Sequence, residues 1–321
     1  MPTVFSTERM NLVEAFKREK YTNYESLLGS LIEQNDFLRV AAVLPANKGS
    51  VHETLVADKL GSGAVRAANE GITRMASQSH IKTDPIVSYE GDSEVDDLII
   101  SGAPDPVAAR MSEDAMNLAG FSNGWNSVLL NGTKANAKGF EGLATRRGKL
   151  TNGFTWSLGG SGDALSSLYL VEFGDTAVSL RYAPGAAPGI KSQDMGLGKC
   201  YLGDDKNSYF WGWTQHYAIN FGLSVRQEKA LQRFCNIDTT TTTAQSLIEK
   251  MIQGKNKLPS KGRNAYIFAN SDLLSVLEIG ILNKASNLRT VEIENYGPVT
   301  MFVNVPILPM DATATGENAV S

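Results

Sequence analysis

Trp211-Gly212-Trp213-Thr214-Gln215-His216-Tyr217-Ala218-Ile219-Asn220-Phe221-Gly222-Leu223-Ser224-Val225 is the stretch that decides the fold. Its odd positions are nearly all large and apolar, and its even positions are small or polar. Successive side chains of a strand point to opposite faces, so this pattern predicts one strand with a single face to bury. Fifteen residues extend about 50 Å at ~3.3 Å each, where an ordinary strand has about 5–6 residues.

A helix of matching length lies upstream. Asp105 is a good N-cap, and Pro106 fits the first helical position because its missing N–H costs nothing there. Val107, Met111, Ala115, Leu118, Ser122, Trp125 and Leu129 follow at spacings of three or four, and Asn131-Gly132 closes the run. Val107, Met111, Leu118, Trp125 and Leu129 are therefore the expected core of this helix, which at 1.5 Å per residue is roughly 35–40 Å long. Gly120 and Gly124 interrupt it. One long helix beside one long strand predicts an elongated α+β plate.

Outward from this pair the chain changes character. Thr22 and Glu25 form a capping box for a helix over 22–44, with Tyr24, Leu27, Leu28, Leu31 and Leu38 on one stripe and Pro45 at its end. Val51–Ala57 reads as a strand, Gly61-Ser62-Gly63 as a turn and Ala64–Ile72 as a returning strand, with His80–Val87 also extended. A two-stranded hairpin is marginal alone in water, and this one has few large apolar residues to hold it down. It must lean on something outside its own chain. A second, short hairpin is expected from Tyr169–Phe173 and Val178–Tyr182, turning at Gly174-Asp175.

The last third predicts a small α/β unit. Thr242 and Gln245 cap a helix carrying Leu247, Ile248 and Met251 that stops at Gly254. Ala265–Phe268 is a buried type of strand, Leu273, Leu274, Leu277 and Ile281 form a helical stripe, and strands follow near 290–294 and 299–305.

Composition narrows the function. The 321 residues are 42% hydrophobic and 20% charged, enough for a sizeable core. A net charge of −4 argues against a sequence-reading nucleic-acid binder, though not against a container for DNA. Two cysteines, Cys200 and Cys235, suit a reduced cytoplasmic protein. No run approaches the ~18 apolar residues of a membrane helix, and the amino terminus carries no apolar signal region.

Motifs for chemistry are incomplete. Gly61-Ser62-Gly63 lacks the third glycine of a dinucleotide fingerprint, since Arg66 stands there. Gly159-Gly160-Ser161-Gly162-Asp163 ends on aspartate where a nucleophile elbow needs glycine. His52, His80 and His216 are far apart, and metal-ligand spacing is absent. The acidic run Glu90, Asp92, Glu94, Asp96 and Asp97 lacks the ligand order of a calcium loop. Trp211 and Trp213 have no flanking cations to suggest base stacking. No catalytic, cofactor-binding or metal-ligating residue is assigned.

The order of parts resembles the tailed-bacteriophage major capsid proteins, in their short-tailed-phage, gp-seven-like branch. The segments that carry the resemblance are Arg66-Ala67-Ala68-Asn69-Glu70-Gly71, Leu130-Asn131-Gly132 through Gly139-Phe140-Glu141-Gly142-Leu143-Ala144, Leu170-Val171-Glu172-Phe173-Gly174-Asp175 and Trp213-Thr214-Gln215-His216-Tyr217. The likeness covers nearly all of 20–310. It implies an N-arm over 1–48, an E-loop hairpin over 49–84, a P-domain over 85–131 and 205–240 with the spine helix, an α/β A-domain with connecting loops over 132–204 and 241–310, and a carboxy-terminal tail over 311–321.

The same resemblance implies a non-enzymatic shell protein that assembles in the host cytoplasm into an icosahedral virion capsid around double-stranded DNA. Its partners would be itself in hexamers and pentamers, a separate scaffolding protein because little chain precedes residue 22, a portal and, optionally, a decoration protein. Assembly contacts are expected at Leu27 and Leu31 of the arm and at Val56, Lys59, Leu60 and Val65 of the hairpin. Some relatives cross-link a hairpin lysine to a neighbour's asparagine, but a solvated turn lysine is the plainer reading of Lys59. A cellular nanocompartment of the same fold is the alternative, and an α/β enzyme with a glycine-rich loop a more distant one.

Overall fold

A computed structural model describes residues 36–72, 74–134, 139–185, 190–202, 205–282, 288–293, 297–310, 312 and 316–321. Leu27 and Leu31, and most of the expected arm helix, lie outside these residues. What is described begins with a short helix, α1 (Asp36–Val40), and a strand, β1 (Val43–Pro45). The expected helix therefore stops at Val40, because Val43-Leu44-Pro45 pairs in parallel with Leu180-Arg181-Tyr182.

The hairpin consists of β2 (Val51–Lys59) and β3 (Gln78–Pro85), in a register that sets His52 against Asp84 and Leu55 against Ile81. The returning strand is 78–85 and not 64–72. Ala67, Ala68, Asn69, Glu70 and Gly71 are weak strand formers. Glu70 also offers the chain a local alternative, its carboxylate accepting the Ala67 N–H at 2.7 Å.

Next come β4 (Val87–Asp96), the short helix α2 (Asp97–Ser101) and the spine helix α3 (Pro106–Asn131). Asp105 Oδ1 accepts the N–H groups of Val107 and Ala108, both at 3.1 Å, as its N-cap position requires. Beyond the spine lie α4 (Leu143–Arg146), β5 (Thr155–Ser157), β6 (Ser166–Glu172), β7 (Val178–Tyr182), β8 (Ile190–Leu202), β9 (Asp205–Val225) and β10 (Leu231–Ile237). The chain continues with α5 (Ala244–Lys257), β11 (Ala265–Ala269), α6 (Ser271–Leu282), β12 (Leu288–Ile293), β13 (Gly297–Phe302) and β14 (Val305–Pro309).

These elements form two compact units. The first comprises 1–39, 88–130 and 188–220, the second 40–87, 131–187 and 221–321.

In the first unit β8 runs antiparallel to β9, from Ile190 opposite Ile219 to Leu202 opposite Asp205. The spine packs its later turns on aromatic rings, with Tyr89 and Phe121 at 4.8 Å between centroids, Tyr89 and Trp125 at 5.9 Å, and Phe121 and Tyr217 at 5.9 Å. A Cβ at Gly124 would collide with the Tyr89 hydroxyl, which accounts for a glycine inside a helix. Trp125 and Leu129 are fully buried, but Val107 and Met111 are 68% and 67% exposed and Leu118 is 37% exposed. The stripe is core only where those rings reach it, so Val107, Met111 and Leu118 are corrected from core to surface.

In the second unit the last residues of β9 pair with β7, Val225 opposite Val178. A seven-stranded sheet runs in the order β12-β13-β14-β11-β6-β10-β5. Its core joins Leu168, Leu170, Phe234 and Ile267 to Leu247 and Met251 of α5 and to Leu273 and Leu277 of α6. The expected short hairpin does not form. Although Gly174 N–H reaches Val178 O at 2.9 Å, β6 enters the seven-stranded sheet while β7 pairs with β1 and β9. Every residue of β6 is buried, as suits a strand covered on both faces.

Helix α5 is capped by Thr243, one residue after the expected cap, and runs past Gly254 to Lys257. Gly254 sits mid-helix because a Cβ there would strike the Phe234 ring. The chain end is tied down: Asn236 bonds both backbone groups of Val320 at 2.8 and 2.9 Å, and Arg233 pairs with Glu317 at 2.8 Å.

Candidate assembly surface

The hairpin has a fixed base and an uncovered end. At the base, Lys82 and Asp84 point to the same face of β3. The segment Gly139-Phe140-Glu141-Gly142-Leu143 buries Phe140 and Leu143 completely, which anchors α4 and aims two successive arginines. Arg146 donates to Asp84 Oδ1 at 2.8 Å and to Leu223 O at 2.8 Å. Arg147 reaches Glu228 Oε2 and Leu231 O, both at 2.8 Å. Glu228 also takes Lys82, and the Lys82 ammonium donates to Val225 O at 3.1 Å. Burial pushes the Glu228 carboxyl up, but Lys82 and Arg147 together outweigh it and hold it below its ordinary range.

Above this base the usual alternation is inverted. His52 and Thr54 of β2 are buried, while Leu55 and its cross-strand neighbour Ile81 are exposed. Leu60 is 78% exposed and Val65 fully so, with Ile72 and Met75 also open to solvent. Of the expected contact residues, Lys59, Leu60 and Val65 are exposed and Val56 is half-buried. Leu55, Ile72, Met75 and Ile81 escaped the sequence reading. No period marked them: Leu55 shares its face of β2 with Glu53, and Ile72 and Met75 lie outside both strands. Each such side chain would contribute roughly 1.5–3 kcal/mol if a partner covered it.

The first unit carries an open groove of about 360 Å³ beside the start of the spine, lined by Ile100, Val107, Met111 and Trp213. Arg110 lies 4.7 Å over the Trp213 ring and is paired with Asp194 and, at 3.7 Å, with Asp114. The hydrogen bond from Arg110 holds the Asp194 carboxyl low, whereas burial raises that of Asp114. Every charge in the groove is already answered by another.

The other sequence features have structural employment. Asp96 caps α2, Asp97 accepts the Trp213 indole N–H at 2.9 Å, and Asp92 pairs with His216 at 2.6 Å. The glycine-rich loop is bound by the chain's own backbone: Gly160 N–H donates to Asn236 O at 2.9 Å, and Gly162 O accepts Ala319 N–H at 3.1 Å. Burial pushes the Cys235 thiol up to about 11. Among the described residues no three His, Cys, Asp or Glu side chains gather to hold a metal, and no helix is long and apolar enough to cross a membrane.

A long helix on a β-ribbon, a sheet-and-helix unit and a hairpin with its apolar side chains turned outward define the tailed-phage major capsid fold. The chain is similar to a chain of bacteriophage Epsilon15 at 22% identity, covering 90% of this chain and 89% of that one with a TM-score of 0.65. It is also similar to the bacteriophage JBD30 capsid, at 13% identity, 88% and 91% coverage and a TM-score of 0.48. No curated protein matches. The chain belongs to the family Major capsid protein GP7, whose model matches residues 22–321. It is a structural subunit that self-assembles into a phage capsid shell, and its place is the virion.

Proposed function

We propose that this subunit builds an icosahedral shell of hexamers and pentamers around double-stranded DNA, and that the hairpin is the arm by which each copy holds the next. The observation that carries this reading is the outward apolar set Leu55, Leu60, Val65, Ile72, Met75 and Ile81 above an ion-paired base. One such contact recurs at every copy, and head-to-tail contacts of this kind give rings where the rotation from copy to copy closes. On this reading 1–48 is the N-arm, 49–84 the E-loop, 85–131 with 205–240 the P-domain, 132–204 with 241–310 the A-domain and 311–321 the tail.

Assembly takes place in the host cytoplasm with a separate scaffolding protein and a portal, and a decoration protein is an optional later partner. Packaged DNA is held without sequence preference, consistent with a net charge of −4. The subunit works by geometry and mass action, without catalysis. Electron microscopy of the purified chain, alone and with a scaffolding protein, tests the reading. Closed particles with five- and six-fold clusters are expected, and a chain that stays monomeric throughout would refute it.

A further inference from the structure

His52 stands at the base of the hairpin, opposite Asp84. Its ring is buried, and Nδ1 accepts the Asn47 backbone N–H at 3.4 Å. That bond places the ring proton of a neutral imidazole on Nε2. Among the described residues the buried Nε2 has no hydrogen-bond partner. Asn47 in turn braces β2, donating from Nδ2 to Glu53 O at 2.7 Å and accepting Glu53 N–H at 2.9 Å. One imidazole nitrogen thus secures the loop that leads into the hairpin.

A second proton can only go to Nδ1, where it meets the Asn47 N–H, donor against donor. The charges facing the ring are Arg181 of β7 and Arg226 after β9, opposed by Asp84 of β3 and Asp175 of the turn before β7. Both carboxylates are already engaged, Asp84 by Arg146 at 2.8 Å and Asp175 by Arg181 at 2.6 Å. An imidazolium would find two cations nearby, against Asp175, which Arg181 holds, and Asp84, whose Oδ1 is taken by Arg146 while its buried Oδ2 makes no hydrogen bond.

We propose that His52 is a proton-operated hinge: neutral, it closes the base of the hairpin; protonated, it breaks the Asn47 contact and lets the hairpin loosen. Burial first and Arg181 second hold the ring below its ordinary 6.5. The opened base therefore takes up the proton before the closed one does. Closure is complete above pH 6.5 and weakens as the pH falls from there toward the ring's own lower value.

Hydrogen exchange by mass spectrometry on the full-length chain reads this directly, in peptides covering 46–59 and 78–86. After correction for intrinsic rates, wild-type protection should drop by up to about tenfold between about pH 7.5 and about pH 5.5. His52→Gln should lose that dependence, and His80→Gln, on the exposed part of the same hairpin, should keep it. Unchanged wild-type protection, or the full drop in His52→Gln, would overturn the hinge. Should His52→Gln be open at both pH values, the wild-type midpoint decides: below 6.5 supports the hinge, and at or above it refutes it. Shell integrity is a separate readout, because particles that survive an opened base would count against the hairpin's role in assembly while leaving the hinge standing.

Discussion

Arg146 and Asp84 meet at 2.8 Å with only 3% and 1% of their side chains exposed, an ion pair sealed between α4 and the returning strand of the hairpin. Two charges removed from water in this way are far costlier to separate than to delete together. The pair fixes the hairpin at its root, where the outward residues themselves contribute nothing to the subunit.

Arg146→Met leaves the Asp84 carboxylate buried without its cation and should destabilise the subunit by about 3–5 kcal/mol. The double replacement Arg146→Met with Asp84→Asn should recover a large part of that loss. Urea titration of the two variants provides the comparison, and equal losses would show that the pair is not coupled.

The spine helix separates its own stripe into two behaviours. Trp125→Ala should cost about 3–5 kcal/mol, because the ring is fully buried against Tyr89. Val107→Ala and Met111→Ala, on the exposed first turns, should each stay within about 0.5 kcal/mol. Thermal melts of the three proteins would expose the error if Met111→Ala proved as damaging as Trp125→Ala.

Glu317 answers the buried Arg233, whose guanidinium also donates to Ser167 Oγ at 3.0 Å. Glu317→Gln should lower stability by about 1–3 kcal/mol and make the last six residues accessible to carboxypeptidase. Wild-type resistance to digestion would place the tail's hold elsewhere.

Acid should act through Glu228. Its carboxyl is held below the ordinary 4.5, so the stability it contributes is present above that value and is lost as pH falls through its lower folded one. Glu228→Gln should therefore flatten the acid limb of the stability curve below about pH 4.5 while weakening the protein at neutral pH. An unchanged acid limb would contradict this.

Local signals were legible and pairings were not. The spine could be read because an Asp-Pro cap and a 3.6-residue period act within a few residues, and β9 because period two runs from Trp211 to Val225, although Trp211 at the near end of that run is exposed and both faces are buried over 221–225. The returning strand of the hairpin and the fate of β6 and β7 depend on partners far along the chain. Gly174-Asp175 between two apolar runs looks the same whether the strands pair with each other or enter different sheets. Val107 and Met111 continue the stripe of Trp125, and only the reach of Tyr89, Phe121 and Tyr217 decides where the core ends. Leu55 and Ile81 were missed because an apolar residue in an alternating strand is ordinarily the buried one, and here His52 and Thr54 take the inside.

The most direct test of the account replaces residues 60–77 with a short Gly-Ser turn between β2 and β3, leaving the ion pairs at the base intact. Circular dichroism and sedimentation velocity are then read on one preparation, with scaffolding protein added. The expected result is a soluble subunit with the helical signal of the wild type and no closed particles, because Leu60, Val65, Ile72 and Met75 are gone and nothing in the subunit's core has changed. Intact shells from the shortened chain would contradict it, and so would a subunit that no longer folds.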